Sequence, residues 1–252
     1  MIIDGLIEAT LKRRYKRFLA DVELEDGSEV TVHCPNPGSM KGCLHEGARV
    51  YLKDSKNPKR KLRYTSTLID LATTHVVVDT GFANKFIKEL VKSGLIKELS
   101  GYKHVKGEPR YLDGRFDLLL SNDENLLDKK YQPEAGDCLV EIKSTTLSDA
   151  VSGSAMFPDA KTERGRRHLT RLVEARNEGI RAVQLYLVNR SDTESFRPAK
   201  EIDPEYAEVL KSSKDHGVEI LAFDANIELT KISNRTYNAQ VELANRLPVY
   251  LD

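Results

Sequence analysis

The sequence predicts an α/β protein in two parts, a small β-barrel over residues 1–82 and a mixed sheet flanked by helices over residues 83–252. The first part holds short apolar runs separated by turn signals, with little helical pattern. The second part alternates helical and extended patterns, as expected of a sheet covered by helices. Apolar residues make up 40% of the chain and charged residues 31%, which indicates a globular protein with a full core.

Five short strands are predicted in the first part. They are Tyr15–Leu24, Val30–His33, Ala48–Lys53, Leu62–Asp70 and Thr74–Asp79. Asp26-Gly27 is typical of a hairpin turn, and residues 35–42 are rich in proline and glycine, which favours a loop. Five strands with little helix favour a small Greek-key barrel of the oligonucleotide-binding (OB) kind, a fold that binds single strands through basic grooves and stacking aromatics.

Helices and strands alternate in the second part. The predicted helices are Asn84–Ser93, Thr162–Glu178 and one that begins at Asp203-Pro204 and ends before Gly217. The predicted strands are Lys103–Arg110, Arg115–Leu120, Cys138–Ser144, Ala182–Val188 and Val218–Phe223. Right-handed crossovers between these strands give a mixed sheet with helices on its faces.

Two of these strands carry a group of charged residues. Side chains alternate between the faces of a strand, so Glu141 and Lys143 share one face. If Arg115–Leu120 and Cys138–Ser144 pair as a hairpin, Asp117 joins them. Two carboxylates suit Mg²⁺, and a nearby lysine can position a metal-bound water or offset charge on a phosphate. Alternating charges on a solvated strand pair are the alternative interpretation.

Basic residues interleave with aromatic residues in the first part, although the whole chain has a formal net charge of zero. Through residue 63 there are 13 Lys or Arg and 9 Asp or Glu, a difference of +4. Cations neutralise phosphates and aromatic faces stack on bases, so these clusters are candidate nucleic-acid contacts. The candidates are Arg13, Arg14, Tyr15, Lys16, Arg17, Arg60 and Lys61. The alternative is two solvated basic loops that bind nothing.

A second set of basic residues occupies the predicted helix after the charged strands. The N-terminal half of this helix, where a helix end already favours phosphate, holds Arg164, Arg166, Arg167, His168 and Arg171. A phosphate-facing helix and a solvated helix face both fit this pattern.

The cysteines are few and raise one metal question. His33, Cys34, Cys43 and His45 flank a loop and could form a zinc site, although buried thiols and ordinary histidines are commoner. Three cysteines cannot all pair within one chain, and the first residues show no signal-peptide pattern. We therefore expect a cytoplasmic protein, with no span long and apolar enough for a membrane.

Several longer runs resemble one protein family over nearly the whole chain. They are Arg14–Asp21, His33–Asn36, Gly38–Met40, Asn57–Leu62, Glu141–Leu147 and Phe157–Gly165. These runs resemble the sugar fermentation stimulation protein family. The resemblance implies a cytoplasmic DNA-binding protein with an OB-like barrel and a C-terminal domain similar to the PD-(D/E)xK restriction-endonuclease-like superfamily.

The same resemblance implies roles for individual residues. Asp117, Glu141 and Lys143 fall on the nuclease motif, and Glu89 matches a position where many such nucleases place a further acidic residue. Arg164 and His168 lie where superfamily members add a supporting basic or polar group.

From these observations we expect a DNA-binding protein whose nuclease-like domain is a phosphodiesterase dependent on Mg²⁺ or Mn²⁺. Asp117, Glu141 and the carbonyl of Ile142 would hold the metal, and Lys143 would position the attacking water. The alternative is a DNA-binding transcriptional regulator of sugar metabolism that keeps the fold and cuts nothing. A metabolite-binding protein follows from the family name alone, and a homodimer is possible for a nuclease of duplex DNA.

Overall fold

The computed structural model describes residues 1–128 and 130–252, which contain seventeen strands and three α-helices. The strands of the first part are β1 (Ile2–Tyr15), β2 (Leu19–Leu24), β3 (Glu29–His33), β4 (Arg49–Asp54), β5 (Tyr64–Asp70) and β6 (His75–Val77). The helices are α1 (Thr80–Lys92), α2 (Glu163–Asn177) and α3 (Pro204–Asp215). The remaining strands are β7 (His104–Gly107), β8 (Arg110–Tyr111), β9 (Gly114–Arg115), β10 (Leu118–Ser121), β11 (Cys138–Thr145), β12 (Leu147–Asp149), β13 (Ser154–Phe157), β14 (Arg181–Val188), β15 (Ser195–Pro198), β16 (Glu219–Ser233) and β17 (Thr236–Arg246).

The first five strands close into a barrel. Their order is β1, β2, β3, β5, β4 and back to β1, and β6 pairs with β5. Its interior is filled by apolar side chains such as Val22, Val32, Leu52 and Ile69. The predicted OB-like barrel is therefore confirmed.

The first barrel strand differs from the prediction. The predicted strand Tyr15–Leu24 is divided by a tight turn, in which Lys16 and Arg17 have φ of 48° and 62°. Residues 2–15 form β1 instead, and its register shifts twice against its neighbours. Such bulges break the period-2 pattern by which a strand is recognised in a sequence.

The second part is a mixed sheet between helices, as predicted. Its strands lie in the order β17, β16, β14, β11, β10, β7, with β11, β14 and β16 parallel and the others antiparallel. On one face, Phe86 and Ile87 of α1 pack against Val140 and Leu185. On the other face lie α2 and α3. Asp79 caps α1 through Gly81 N–H, so this helix begins before the predicted Asn84.

The barrel and the mixed sheet share strands. β1 pairs with β2 and β4 in the barrel and also with β17 at the edge of the mixed sheet, so a single 12-stranded sheet runs through the protein. The predicted division after residue 82 falls within the first turn of α1.

A loop of the barrel is anchored to the second part. Met40 N–H donates to Asp159 Oδ2 at 3.1 Å, and Thr80 Oγ1 donates to Pro35 O at 2.8 Å. Gly38 lies so close that a Cβ built on it would be 2.1 Å from Asp159 Oδ2. A side chain at position 38 would therefore displace the Asp159 carboxylate where the two parts meet.

We predict that Gly38→Ala destabilises the protein, because the added methyl group displaces the Asp159 carboxylate from Met40 N–H. Forced overpacking of this kind costs about 1–3 kcal/mol, which lowers the melting temperature by several degrees. Thermal unfolding measures it. Gly114→Ala is the control, since a Cβ there would make only ordinary contacts, at 3.6 Å or more, and neither Gly114 nor Gly38 has a positive φ. An equal loss in both variants would contradict the steric argument.

Candidate metal centre and its flanking clefts

The hairpin of β10 and β11 brings the charged residues together. Leu118 pairs with Val140 and Leu119 with Leu139, so Asp117, one residue before β10, lies opposite Glu141. The strand predicted from Arg115 is shorter than expected, because Arg115 belongs to the separate hairpin of β8 and β9. The antiparallel pairing that the motif requires is nevertheless present.

The Asp117 carboxylate is held by two amide donors. Asn84 Nδ2 of α1 donates to Oδ1 at 2.5 Å, and Ile142 N–H donates to Oδ2 at 2.7 Å. Burial and the neighbouring Glu141 carboxylate raise the pKa of Asp117 to about 6, against the lowering effect of Ile142 N–H and Lys143. Two carboxylates therefore lie close together, and this arrangement makes the ionised form of Asp117 less favourable.

Glu141 is almost fully buried, yet one of its oxygens has no partner. Lys143 Nζ donates to Oε1 at 2.6 Å, and His168 Nδ1 lies 2.5 Å from the same oxygen. Burial alone would raise the pKa of Glu141, but Lys143 and His168 outweigh it and hold this pKa below its ordinary value. Oε2 is buried and accepts no hydrogen bond from the described residues. A buried ionised oxygen without a partner is costly and marks a position where a cation or a water fits.

His168 orients Glu141. Arg164 Nε donates to His168 Nε2 at 3.4 Å, so Nε2 is the acceptor and Nδ1–H is the donor to Glu141. Both ring nitrogens are thereby engaged within the protein. The buried ring fixes the rotamer of Glu141, as outer partners of ligating groups commonly do.

The donor set fits a hard divalent cation. In an extended strand the C=O of a residue points to the same side as its N–H, so the carbonyl of Ile142 faces the side on which Asp117 lies. Asp117, the free oxygen of Glu141 and this carbonyl offer the oxygen ligands that Mg²⁺ and Mn²⁺ prefer. Within residues 1–128 and 130–252, no three His, Cys, Asp or Glu side chains gather to hold a metal, so the protein would supply two carboxylates and this carbonyl, with water completing the shell.

Two clefts flank this centre. The barrel-side cleft, of about 300 Å³, lies between the barrel loop and the β11 end of the centre, and is lined among others by Arg17, Gly38, Asn84, Lys143, Phe157 and Lys161. The arginine cleft, of about 260 Å³, lies on the α2 side and is lined among others by Arg115, Arg164, Arg167, His168 and Arg171. Lys143 lines the first cleft and His168 the second, so each cleft adjoins one partner of Glu141 and carries basic side chains.

Glu89 is not part of this cluster. It lies on α1 with 59% of its side chain exposed, and Lys92 Nζ donates to its Oε1 at 3.3 Å. The residue of α1 that contacts Asp117 is Asn84, and a position five residues later is rotated by roughly 140° around a helix.

The basic candidates of the barrel fall into two groups. Arg14 is structural, since its guanidinium donates to the carbonyls of residues 17, 36, 38 and 39. Arg13 and Tyr15 both donate to Asp21, although 73% of the Arg13 side chain stays exposed. Lys16 and Arg17 are presented by the β1–β2 turn, and Arg17 reaches the barrel-side cleft.

Arg60 and Lys61 lie in the loop between β4 and β5. Arg60 Nη2 donates to Thr65 Oγ1 at 3.2 Å, and the side chains of Arg60 and Lys61 are exposed. They are accessible to a polyanion but line neither of the two clefts.

The four candidate zinc ligands do not assemble in the described part of the chain. Cys34 Sγ contacts Met40 Sδ at 3.6 Å, and Cys43 Sγ donates to Thr146 O at 3.4 Å. Burial raises the pKa of both thiols, which keeps them protonated within the barrel core. The neighbouring His33 and His45 side chains are only half-buried or less.

Sequence reasoning missed several residues of the site. Asn84 contacts Asp117, Lys161 lines the barrel-side cleft, and Arg115 lines the arginine cleft. An exposed lysine or a helical asparagine has no pattern of its own, so only the folded arrangement identifies these residues.

Comparison with known proteins agrees with this architecture. A family model described as "SfsA N-terminal OB domain" matches residues 13–78, and one described as "Sugar fermentation stimulation protein RE domain" matches residues 81–231. The chain belongs to the sugar fermentation stimulation protein family. A homolog from Pelobacter propionicus is 42% identical over 252 residues, covering 100% of both chains. One from Geotalea uraniireducens is 45% identical over 224 residues, covering 88% of this chain and 91% of its own.

A solved structure shares the fold. It is described as "The structure of Pyrococcus Furiosus SfsA in complex with Ca2+", and it has a TM-score of 0.82 and 25% identity, covering 99% of this chain and 98% of that one. None of the helices that the structure describes here is long and apolar enough to cross a membrane.

Proposed function

We propose that this member of the sugar fermentation stimulation protein family is a DNA-binding phosphodiesterase dependent on Mg²⁺ or Mn²⁺. The observation that carries the proposal is the buried, unpartnered Oε2 of Glu141 beside Asp117. A site built only to bind DNA gains nothing from two adjacent carboxylates, which repel phosphate unless a cation lies between them. The Pyrococcus furiosus relative was solved in complex with Ca²⁺, which supports a divalent cation here as well.

Each residue of the candidate metal centre would have a separate role. Asp117, Glu141 and the carbonyl of Ile142 would hold the cation, which supplies an activated water and neutralises phosphate charge when bound. Lys143 lies within hydrogen-bond distance of Glu141 and would orient the attacking water. His168 fixes Glu141, while Arg164 and Arg167 of the arginine cleft would contact phosphate oxygens. Arg115 and Arg171 of the same cleft are paired with Glu108 and with Asp113 and Glu174.

The barrel supports DNA as the substrate. Arg17 lines the barrel-side cleft, Lys16 is exposed on the same turn, and Arg60 and Lys61 are exposed on a second loop. Cations of this kind neutralise phosphates without sequence preference. The reducing compartment indicated by three free, buried cysteines fits a cytoplasmic enzyme.

Cleavage of labelled single- and double-stranded DNA by the purified protein, with Mg²⁺, Mn²⁺ or chelator, tests this proposal. We expect products with either metal and none with chelator. Binding without products in every metal would leave the alternative, a non-catalytic DNA-binding regulator on a nuclease scaffold.

A further inference from the structure

The barrel-side cleft indicates which form of nucleic acid reaches the metal centre. We propose that the substrate enters as a single strand, bound between the barrel loop and the centre. This inference rests on the proposed function and specifies the substrate class of the same site.

The barrel-loop wall of the cleft is anchored to the second part of the protein. One wall is the barrel loop at Gly38, which is held by Arg14 on its carbonyls and by Asp159 on Met40 N–H. The other wall continues from Lys143 along β11 to Phe157 on β13. Because the loop contacts Asp159 with no room for a Cβ at Gly38, the walls cannot separate without breaking these contacts.

Of the charged cluster, Lys143 lines the cleft, and its ion-pair partner Glu141 is buried beside it. Only 14% of the Lys143 side chain and 5% of the Glu141 side chain are exposed. A phosphate must therefore descend into the cleft to reach them. An unpaired strand can bend into such a cleft with its bases turned aside, whereas a duplex must first unpair.

The lining suits a single strand. Lys161 is an exposed cation of the cleft, Arg17 adds a guanidinium that also donates to Pro37 O, and Lys143 is paired with Glu141. The one carboxylate among the lining residues, Asp159, is engaged by Met40 N–H. Phe157 adds a half-buried aromatic ring to the same cleft. Cations that follow the backbone beside aromatic faces are typical of sequence-tolerant single-strand sites.

The turn that carries Arg17 also favours a single strand. Lys16 and Arg17 both adopt left-handed φ, an unfavourable conformation for residues with a Cβ. This turn presents the exposed ring of Phe18, 44% accessible, next to Arg17. Arg17 of this turn lines the cleft, and Lys16 and Phe18 are exposed on either side of it in the chain.

The test is fluorescence anisotropy with a labelled DNA of about 12 nucleotides, a length suited to one OB fold, as a single strand and as a duplex of the same sequence. Binding is measured with Ca²⁺ and with chelator. We expect the single strand to bind about tenfold more tightly than the duplex, since only the duplex must open base pairs.

Substitutions at two exposed residues test where the single strand binds. Phe18→Ala should weaken single-strand binding about tenfold through lost stacking. Lys161→Ala should lower the salt dependence of single-strand binding by about 0.7, the contribution of one phosphate contact. Lys214→Ala, which removes an exposed lysine of α3 outside the cleft, should change neither.

Equal or tighter duplex binding would overturn the inference, as would Phe18→Ala and Lys161→Ala behaving like Lys214→Ala. Metal-dependent cleavage separates it from the proposed function. If duplex DNA is cut as fast as single-stranded DNA, the proposed phosphodiesterase activity stands and the single-strand site is wrong. If single strands bind preferentially and both variants weaken that binding, but no metal supports cleavage, the single-strand site stands and the phosphodiesterase activity is wrong.

Discussion

Lys143→Ala is expected to abolish metal-dependent cleavage of DNA while DNA binding persists. Lys143 Nζ lies 2.6 Å from Glu141 Oε1, at the point where an attacking water would be oriented. Removing a group that positions a nucleophile or stabilises developing charge costs about 10²–10⁴ in rate. The measurement is the cleavage rate with Mg²⁺ or Mn²⁺ beside a binding titration of the same DNA.

Two controls accompany this variant. Thermal unfolding checks the fold, because losing one partner of a buried ion pair destabilises by about 3–5 kcal/mol and the site is nearly buried. Glu89→Ala removes an exposed carboxylate that the structure places away from Asp117, and it should leave the cleavage rate unchanged. Cleavage that survives Lys143→Ala would remove this lysine from the mechanism, and loss of cleavage in Glu89→Ala would contradict the geometry of α1.

Asp117→Asn is expected to raise the stability of the metal-free protein near neutral pH. Burial and Glu141 raise the pKa of Asp117 from 3.8 to about 6, so its ionised form is disfavoured in the folded state by about 3 kcal/mol. An asparagine removes the charge and can still accept from Ile142 N–H, while the Asn84 amide can turn its oxygen to the new amide group. A gain of several degrees in melting temperature follows.

The effect depends on pH with a definite sign. Because the folded pKa is raised, the protonated carboxyl contributes stability that is fully present below about 3.8 and is lost as pH rises through about 6. The difference in melting temperature between Asp117→Asn and the unaltered protein should therefore shrink as pH falls below 6. A difference that is constant with pH, or a variant that is less stable near neutral pH, would contradict the assigned carboxylate repulsion.

The sequence was sufficient to predict the elements whose determinants are local. Asp203 and Pro204 start α3 as an N-cap and first residue should, and the apolar runs on both sides of the polar segment at 121–137 pair as the predicted hairpin. The charged side chains Glu141 and Lys143 share a face because strand alternation requires it.

Long-range pairing could not be predicted in the same way. β1 joins β17 at the other end of the chain, and its bulges hide the alternation of its apolar residues. The small sheet of β12, β13 and β15 consists of strands of three or four residues, too short to show a period. Both features depend on pairing with distant strands, which the local sequence does not indicate.

The candidate site shows the same division. Asp117 and Glu141 followed from a strand pattern, but whether a basic residue faces solvent or its own loop depends on the fold. Arg14 binds four carbonyls of its own domain, although the sequence placed it among the nucleic-acid contacts. His168 likewise donates to Glu141 rather than pointing outward.

The central claim is that Asp117 and Glu141 share one divalent cation. Calorimetric titration of Mn²⁺ into chelator-treated protein, at a pH above the pKa of Asp117, tests it most directly. We predict one binding event in the unaltered protein and its loss in Glu141→Gln, since the variant lacks the charge of the buried oxygen that has no partner. An unaltered protein that takes up no cation, or a Glu141→Gln variant that binds it equally well, would contradict this account.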